Sequence, residues 1–579
     1  MKILFDGWNV FFDNKEGIII LIITIWGLGG WGVNKLFRQH NFPFIQEIFL
    51  SFNLGTLLLT WLCLFVVLLG QISSQLLFIG SMIIPALGML YFALSVWKNR
   101  GNQISASNLF MASILFGCLF ILLLLRLAFG ARLILPPYDD SPEHYGMILS
   151  LLDPKKTGAT SFYSIGNITQ HYYHFGFHAI AAWITTISRS NVARVMIWLG
   201  QFLIVYSVLS IFLLTYAITD GLSGAFVAAL FAGLAWNMPA FAANWGKYPA
   251  ITGLVFLPGW IGLFVLHRRL APARVANSFL LIAIVVGLVL IHTRLLICIS
   301  LIIFVCFLVN KLTKPSNPSY WRSMLIFSAA VVALIAFRNP IAIYYSSGDF
   351  VPLGLTILLL PFAVIAYPQI TLAVSFVLLG VFAASNSSVF FDGYGANWLD
   401  VPFVALLLYV PVSLLAGIGF SGFLQKFSFL GAIPKRLMIL VPILAALIGF
   451  STGNSLTPDS CCNYVTMADI SAISWVNEHT STNAVIWIAG YRPRNYSLGT
   501  DGGVWLSTLT GRNVNKLRYD FDWDAKFRPR ELCREGYSDA FVYKGNTPYS
   551  FDEAALNSLS WLKQVYRKDS VIIYSFSCK

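Results

Sequence analysis

Long apolar runs alternate with short polar loops along the first 450 residues of the chain. A helix needs roughly 20 apolar residues to cross the hydrocarbon of a bilayer. Runs that reach or approach this length cover residues 17–34, 47–70, 76–97, 109–130, 171–187, 194–219, 221–236, 249–266, 275–291, 295–310, 324–337, 353–366, 368–384, 402–423 and 434–450. The pattern predicts a polytopic α-helical membrane protein.

The charges in the loops predict the orientation of these helices. Basic residues follow the first and third runs, whereas residues 71–75 carry no charge. Since basic loops stay in the cytoplasm, the N-terminus and the loop around Asp139 are expected outside. The basic loops 267–274, 311–322 and 426–436 are then cytoplasmic only if one run between residues 171 and 266 does not span. Which run this is stays open, and we expect about 14 spans.

Composition supports a membrane protein and argues against nucleic acid as a partner. The chain has 579 residues, of which 57% are hydrophobic and only 11% charged, and its mean hydropathy is +0.73. The net charge of +13 comes largely from the short loops, so it reflects topology. The first 17 residues contain acidic side chains and lack the small-residue pattern of a cleavage site, so we expect no removed signal peptide. We expect a multi-pass protein of the plasma membrane.

From residue 455 onward the pattern becomes that of an extracytoplasmic α/β domain. Residues 467–479 have helical spacing, residues 484–489 and 571–576 are predicted strands, and the latter is expected to pair with 564–566. Four cysteines, Cys461, Cys462, Cys533 and Cys578, permit one or two disulfides in an oxidising compartment. Four free thiols are an equal alternative, because vicinal cysteines rarely pair. The predicted divisions are residues 1–130, 131–170, 171–454 and 455–579.

The external loop 131–170 contains the highest concentration of candidate catalytic and binding residues. Asp139 and Asp140 are adjacent, and Glu143 and His144 follow. A loop of roughly 40 residues between membrane helices exceeds a simple connector, so we expect function there. Helix capping by Asp140 or Ser141 is the alternative, and it would account for one of the two aspartates.

Histidines and isolated cations mark further positions. His171, His174 and His178 have the spacing of one helical face. They lack a metalloprotease pattern, and an aromatic belt or substrate groove at the membrane interface is the favoured interpretation. His292 and Arg294 interrupt a helix pair, and Lys247 lies in an aromatic break; each could face an anion or only end a span. In residues 387–401, Asp392, Asn397 and Asp400 are weak candidates.

Four strings in this order resemble the GT-C type of integral-membrane glycosyltransferase. YYHFGFHAIAAWI, WGKYPAITG and IHTR are similar to segments that follow the acidic loop in bacterial members, and DGGVWLSTLTGRNV is similar to the start of their C-terminal domain. The resemblance concerns most of the chain. It departs from the simplest family layout, because four predicted helices precede the acidic loop instead of one.

The resemblance implies inverting transfer of a sugar from a polyprenyl-phosphate donor to a glycan, lipid or protein acceptor outside the cell. Asp140 is the favoured general base, since it stands nearer the helix start, with Asp139 as the close alternative. Donor phosphate or substrate would contact Arg294, His292, Lys247, His144, His171, His174 and His178. A Mg or Mn site at Asp139, Asp140 and Glu143 stays open, and no cofactor is required by the sequence. The rivals are a flippase or transporter of lipid-linked or anionic saccharides and a glycan polymerase or ligase.

Overall fold

The computed structural model describes most of the chain. The described residues are 1–37, 40, 42–70, 86–90, 106–152, 174–270, 274–312, 324–331, 347–391, 394–427, 437–453, 456–491, 497–523, 532–533 and 539–577. Contacts divide the chain into two compact units. Unit 1 comprises Met1–Ala131, Ile165–Ala243 and Tyr248–Leu456, and unit 2 comprises Arg132–Ser164, Asn244–Lys247 and Thr457–Lys579.

Unit 1 is helical. Its helices are α1 Lys2–Leu36, α2 Phe44–Gly70, α3 Ala106–Leu127, α5 Gly176–Ser188, α6 Val192–Thr219, α7 Leu222–Leu230, α8 Tyr248–Leu270, α9 Arg274–Ile291, α10 Leu295–Leu312, α11 Phe350–Ala366, α12 Pro368–Asn386, α13 Val401–Leu407, α14 Tyr409–Lys426 and α15 Leu440–Gly453. A π-helical turn, Phe231–Ala235, extends α7, and a two-stranded ribbon of β1 Ser388–Phe391 and β2 Tyr394–Asn397 follows α12. These helices lie where the apolar runs predicted them; the run 76–97 falls mostly outside the described residues.

Seven described segments are long and apolar enough to cross a membrane. They are Lys2–Leu36, Phe44–Val67, Ser113–Arg132, Val192–Thr219, Tyr248–Leu270, Pro368–Asn386 and Val401–Lys426. Five shorter apolar helices have 10 to 17 residues. The structure is therefore compatible with an integral membrane protein, and the count of about 14 spans stays a prediction.

Small residues allow the helices of unit 1 to pack closely. A Cβ at Gly29 would lie 1.7 Å from the Ser51 carbonyl oxygen, and one at Gly55 would lie 1.9 Å from that of Ile25. Glycine at both positions lets α1 and α2 approach backbone to backbone, as small residues do in membrane helix pairs. Buried polar groups are bonded across helices: the Trp260 indole donates to Thr56 Oγ1 at 3.0 Å.

Unit 2 is an α/β unit built from three distant stretches of chain. Its elements are α4 Ser141–Leu152, α16 Met467–His479, β3 Val485–Tyr491, β4 Leu498–Gly499, α17 Leu506–Thr510, β5 Asn513–Arg518, β6 Ala540–Lys544, α18 Glu553–Asn557, β7 Lys563–Lys568 and β8 Val571–Phe576. The sheet has the order β4-β3-β6-β8-β7, and β5 pairs with β3. Parallel pairs join β3 to β5 and to β6, and antiparallel pairs join β6 to β8 and β8 to β7.

The predicted elements of the C-terminal domain are present. Thr466 and Asp469 form a reciprocal capping box at the start of α16, as expected where a polar residue precedes an apolar helical pattern. The predicted pairing of the last two strands is observed across the turn at Asp569, whose φ is 52°. The apolar faces of α16, β3 and β8 form one core, against which Leu135, Tyr138 and Tyr145 of the acidic segment also pack.

The three described cysteines of unit 2 are oxidised. Cys461 and Cys462 form a vicinal disulfide, so of the two alternatives that the sequence left open, four free thiols is the one that is wrong. Cys533 is also disulfide-bonded, and Cys578 lies outside the described residues. The free cysteines, Cys63, Cys118, Cys298 and Cys306, all belong to apolar helices.

Candidate functional site

The acidic segment of unit 2 is anchored by its backbone. The Tyr138 amide donates to the carbonyl of Cys462 at 2.9 Å, and Tyr138 has a φ of 72°. This left-handed conformation is uncommon for a residue with a Cβ, so surrounding contacts must hold it. Asp139 and Asp140 follow directly in the turn that leads into α4. Their side chains bind different lysines.

Asp139 is clamped by Lys516 of β5. The Lys516 ammonium lies 2.8 Å from each oxygen of the Asp139 carboxylate, and it also donates to the Ser497 carbonyl at 3.3 Å. Asp139 is only 9% exposed, and the Gly499 amide donates to it as well. Burial raises the pKa of Asp139, and Lys516 opposes that shift. Both carboxylate oxygens are thus engaged.

Asp140 occupies the N-cap position of α4 and is bound by a lysine from a different segment of the chain. Lys247 donates to Asp140 Oδ2 from the segment Asn244–Lys247. Gly246 has a φ of 61°, and a Cβ there would lie 2.4 Å from Ser141 Oγ. Glycine therefore allows the Trp-Gly-Lys turn to approach α4 closely enough for the ion pair to form. Asp140 retains 27% side-chain exposure, and Lys247 is its side chain's one hydrogen-bond partner within the described part of the chain.

Two neighbours of the aspartates have strongly shifted pKa values. Burial, followed by the charges of Asp140 and Asp139, raises the pKa of Glu143 to about 7. Its side chain still has water-accessible surface, although protein atoms surround it closely. Burial lowers the pKa of His144 to about 4, so this imidazole is neutral at pH 7. Perturbed groups of this kind gather at functional sites, and also in structural ion-pair networks.

We call Asp139, Asp140, Glu143, Lys247 and Lys516 the acidic cluster. Its arrangement does not fit a divalent cation, because the Lys516 ammonium occupies the position facing both Asp139 oxygens. Within the described residues, no group of three His, Cys, Asp or Glu side chains could hold a metal ion. A carboxylate held beside one ammonium can instead accept a proton from a bound hydroxyl.

A second, buried carboxylate accounts for the Asp-Gly-Gly sequence of unit 2. Asp501 has no exposed surface and accepts hydrogen bonds from the Gly503 amide at 3.0 Å, the Gly545 amide at 3.2 Å and Ser550 Oγ at 3.0 Å. A Cβ at Gly502 would lie 2.4 Å from the Asp469 carboxylate, so the glycine makes room for it. Burial raises the pKa of Asp501 to about 7.

Unit 1 brings two predicted histidines together. The His174 and His292 rings have centroids 4.4 Å apart, and Thr293 Oγ1 lies 3.3 Å from His174 Nδ1. A Cβ at Gly176 would lie 2.8 Å from Ile291 Cγ1. The glycine at the start of α5 therefore allows the close approach to the end of α9 that places the histidines side by side.

Arg294 lies in the turn between α9 and α10 and has a carboxylate partner. Its guanidinium lies 2.5 Å from Asp400 Oδ2 and 5.8 Å from the centre of the Phe403 ring. Asp400 also caps α13 by accepting from the Phe403 amide at 2.8 Å. Arg294 is 37% exposed, so part of its fork remains available to another anion. We call His174, His292, Arg294, Asp400 and Phe403 the arginine cluster.

Comparison with known families gives one match. A model described as "Family of unknown function (DUF6541)" matches residues 47–573, which is most of the chain. The chain belongs to the DUF6541 family. Neither curated proteins nor solved structures gave a match.

The DUF6541 match covers both clusters and all predicted helices after the first. Of the four predicted runs that precede the acidic loop, three lie within the matched region. Only α1 lies wholly before it.

The structure separates the predicted site residues of this DUF6541 chain into two groups. Asp139, Asp140, Glu143, His144 and Lys247 belong to unit 2, whereas His174, His292 and Arg294 belong to unit 1. His144 is nearly buried and neutral at pH 7, which argues against its binding phosphate by charge.

The prediction of one histidine face is wrong for the described residues. Helix α5 begins only at Gly176, so His174 lies before it, and His178 is fully buried inside it. His171 lies outside the described residues.

Sequence reasoning missed Lys516 and undervalued Asp400. Lys516 lies in β5, which was not among the predicted strands, and its partner Asp139 is 377 positions away. An isolated lysine within the short, largely polar segment NVNKLR is a weak signal. Asp400 precedes Val-Pro-Phe at a helix start, and its capping position was readable from that sequence.

Proposed function

We propose that the protein is a membrane glycosyltransferase that transfers a sugar, with inversion, from a polyprenyl-phosphate donor to an acceptor on the extracytoplasmic face. The observation that carries the proposal is that two adjacent aspartates differ in burial and in hydrogen bonding. Asp139 is buried with both oxygens engaged, while Asp140 is partly exposed and bonded through one oxygen only. Asp140 is the carboxylate suited to receive a proton.

In the proposed reaction, Asp140 takes the proton of the acceptor hydroxyl or amide as that group attacks the anomeric carbon. The bond from that carbon to the phosphate oxygen breaks on the opposite face, and its electron pair leaves with the phosphate. Lys247 orients the Asp140 carboxylate through its ion pair, and Lys516 holds Asp139. These two lysines are positioning residues.

The arginine cluster has its own role in the proposal. Arg294 binds the donor phosphate through the part of its guanidinium that Asp400 leaves free, because a planar fork suits phosphate oxygens. His292 and His174, whose tilted rings have centroids 4.4 Å apart, contribute to binding the donor.

The oxidised cysteines support an extracytoplasmic location for unit 2. Disulfides persist in oxidising compartments and are rare in the cytosol. The positions of basic residues at the ends of the helices of unit 1 support an orientation of the protein in the membrane that agrees with this location. Phe37 at the end of α1 contacts His267, and Arg269 pairs with Asp220 at the end of α6, so the ends of these helices meet on one face. By the positive-inside rule, this is the cytoplasmic face.

We propose α5 as the apolar run between residues 171 and 266 that does not cross. With 13 residues it measures about 20 Å, against the roughly 30 Å of a bilayer core. His174, just before α5, lies beside the turn between α9 and α10, and Ser188 at its other end lines a cavity with residues 12–16. Both ends are then on the outer face.

A transporter is the second candidate, and one observation favours it. Arg126 of α3 is fully buried in an apolar helix and donates to Gln201 Oε1 of α6 from both Nε and Nη2, at 3.2 and 3.0 Å. Charges inside spans often mark substrate paths.

The test is transfer from radiolabelled polyprenyl-phosphate sugars by the full chain in liposomes. We expect Asp140→Asn to lower transfer by about 10²–10⁴-fold, while Asp552→Asn, at the cap of α18, leaves it unchanged. Undiminished transfer in both Asp140→Asn and Asp139→Asn would sink the carboxylate mechanism. Movement of the labelled lipid across the bilayer without transfer would support the transporter.

A further inference from the structure

Unit 1 contains a cavity lined by residues that belong to neither the acidic nor the arginine cluster. It has a volume of about 430 Å³ and is lined by residues 12–16 of α1 and 188–191 and 194 around the turn between α5 and α6. None of these residues belongs to either cluster, and the part contributed by α1 lies before the region matched by the family model.

The cavity contains charges of both signs. Lys15, Arg189 and Arg194 supply three cations, and Asp13 and Glu16 supply two carboxylates. In the described chain, no ion pair joins any of these five side chains to another residue. The Lys15 ammonium lies 3.6 Å from the centre of the Phe12 ring, which holds it at the cavity. Such a set is complementary to a ligand that carries both a negative and a positive charge.

The backbone adds to the cationic side of the cavity. Helix α6 starts at Val192, directly after Asn191, whose side chain caps the Ala193 amide. The positive end of the helix dipole therefore faces the same space as Arg189 and Arg194 and favours a phosphate there.

The outer surface of α1 indicates the depth of the cavity relative to a bilayer. Phe5, Trp8 and Phe12 are 64%, 45% and 55% exposed, in a stretch that also carries Asp6, Asp13 and Lys15. Exposed aromatic residues among charges are typical of the headgroup level of a membrane. A ligand at this level is most directly a lipid headgroup.

We propose that this cavity binds the headgroup of a zwitterionic aminophospholipid of the phosphatidylethanolamine type. Arg189, Arg194 and the α6 N-terminus take the phosphate, and Asp13 and Glu16 accept hydrogen bonds from the primary ammonium. The two carboxylates disfavour a purely anionic headgroup, and a quaternary ammonium lacks the N–H groups they would bond. The site does not depend on the proposed glycosyl transfer.

The test is lipid binding to the delipidated full chain in detergent, measured by native mass spectrometry and by thermal stabilisation. The probes are phosphatidylethanolamine, phosphatidylcholine and phosphatidylglycerol with identical acyl chains. We expect phosphatidylethanolamine to bind about tenfold more tightly than either, the equivalent of one charge-assisted hydrogen bond. Glycerophosphoethanolamine, which has no acyl chains, should displace it.

Two variants separate the halves of the site. Arg189→Asn with Arg194→Gln should weaken phosphatidylethanolamine binding at least about tenfold; Asn is chosen because Arg189 has a φ of 51°, which Asn tolerates. Asp13→Asn with Glu16→Gln should abolish the preference over phosphatidylglycerol while the lipid still binds. Lys311→Gln, at the end of α10, is the matched control and should bind as wild type.

Three results would overturn the proposal. They are equal or tighter binding of phosphatidylglycerol by the wild type, unchanged binding by the Arg189 and Arg194 double variant, and no displacement by glycerophosphoethanolamine. The last would assign any bound lipid to acyl-chain contacts. Since wild-type competition is measured directly, the test stands even if a variant fails to fold.

Discussion

Lys516→Met tests whether the ion pair with Asp139 holds the acidic segment onto the sheet of unit 2. The ammonium bonds both oxygens of a carboxylate that is 9% exposed, so its removal would leave that carboxylate buried without its charge partner. Removing one partner of a buried pair costs about 3–5 kcal/mol. Because the Lys516 side chain is 28% exposed, we expect the lower end, about 3 kcal/mol.

The assay is amide hydrogen exchange of β3 and β5 in the full chain at pH 7. A loss of about 3 kcal/mol corresponds to roughly 150-fold faster exchange, at about 1.4 kcal/mol per factor of ten. The double variant Asp139→Asn with Lys516→Met should recover most of this, because no charge is left unpaired. Lys544→Met is the matched control: among the described residues, that lysine donates to the Ser570 carbonyl alone, at 3.0 Å.

Less than a threefold change in Lys516→Met would refute the reasoning. An equal change in the Lys544 control would assign the effect to loss of a lysine from the sheet and not to the pair.

Three further predictions concern single groups. Asp400→Ala should speed exchange in the first turn of α13 about fivefold relative to Asp400→Asn, because only Asn keeps the cap, worth about 1 kcal/mol; equal rates would contradict this. The His144 imidazole should titrate near pH 4 by NMR, so its contribution to stability is complete above pH 6.5 and is lost as the pH falls toward 4; a measured pKa above 6 would be inconsistent with its burial. The pH dependence of stability from Asp501 runs in the opposite direction to that from His144. The raised pKa of Asp501, about 7, gives stability that is complete below about pH 4 and is lost as the pH rises through 7. Hydrogen exchange of β6 at pH 5 and pH 8 should show this loss, and Asp501→Asn should flatten it; a carboxylate band of ionised Asp501 at pH 5 in difference infrared spectra would argue against it.

The apolar runs and the local signals of unit 2 were sufficient to predict most described elements. Runs long enough to bury a helix have few alternative structures, and a capping residue or a short turn is recognised within four positions. The hairpin across Asp569 is of this kind. The helix predicted at residues 467–479 is also observed, and the structure adds a capping box at Thr466 that was not predicted. The interruption of the helix pair at His292 and Arg294 was likewise local and is observed.

The partners of the predicted site residues could not be predicted in the same way. Lys516 meets Asp139 because β5 pairs in parallel with β3, and a parallel register depends on contacts distant in sequence. The prediction that the three histidines share one helical face was wrong because spacings of three and four align side chains only within a continuous helix. The described helix starts after His174. For the vicinal cysteines, the general rarity of such pairs left free thiols as an equal alternative, whereas Cys461 and Cys462 are bonded.

The assembly of unit 2 from three distant segments sets an order on biosynthesis. Asp139 leaves the ribosome 377 residues before Lys516, a delay of about 20 to 75 s at ordinary elongation rates. Throughout that time the acidic turn has neither its strand partner nor the core that Leu135 and Tyr145 pack against. A chain that ends before residue 516 therefore leaves Asp139 without its lysine partner, so the acidic turn reaches its final structure only after β5 has been synthesised.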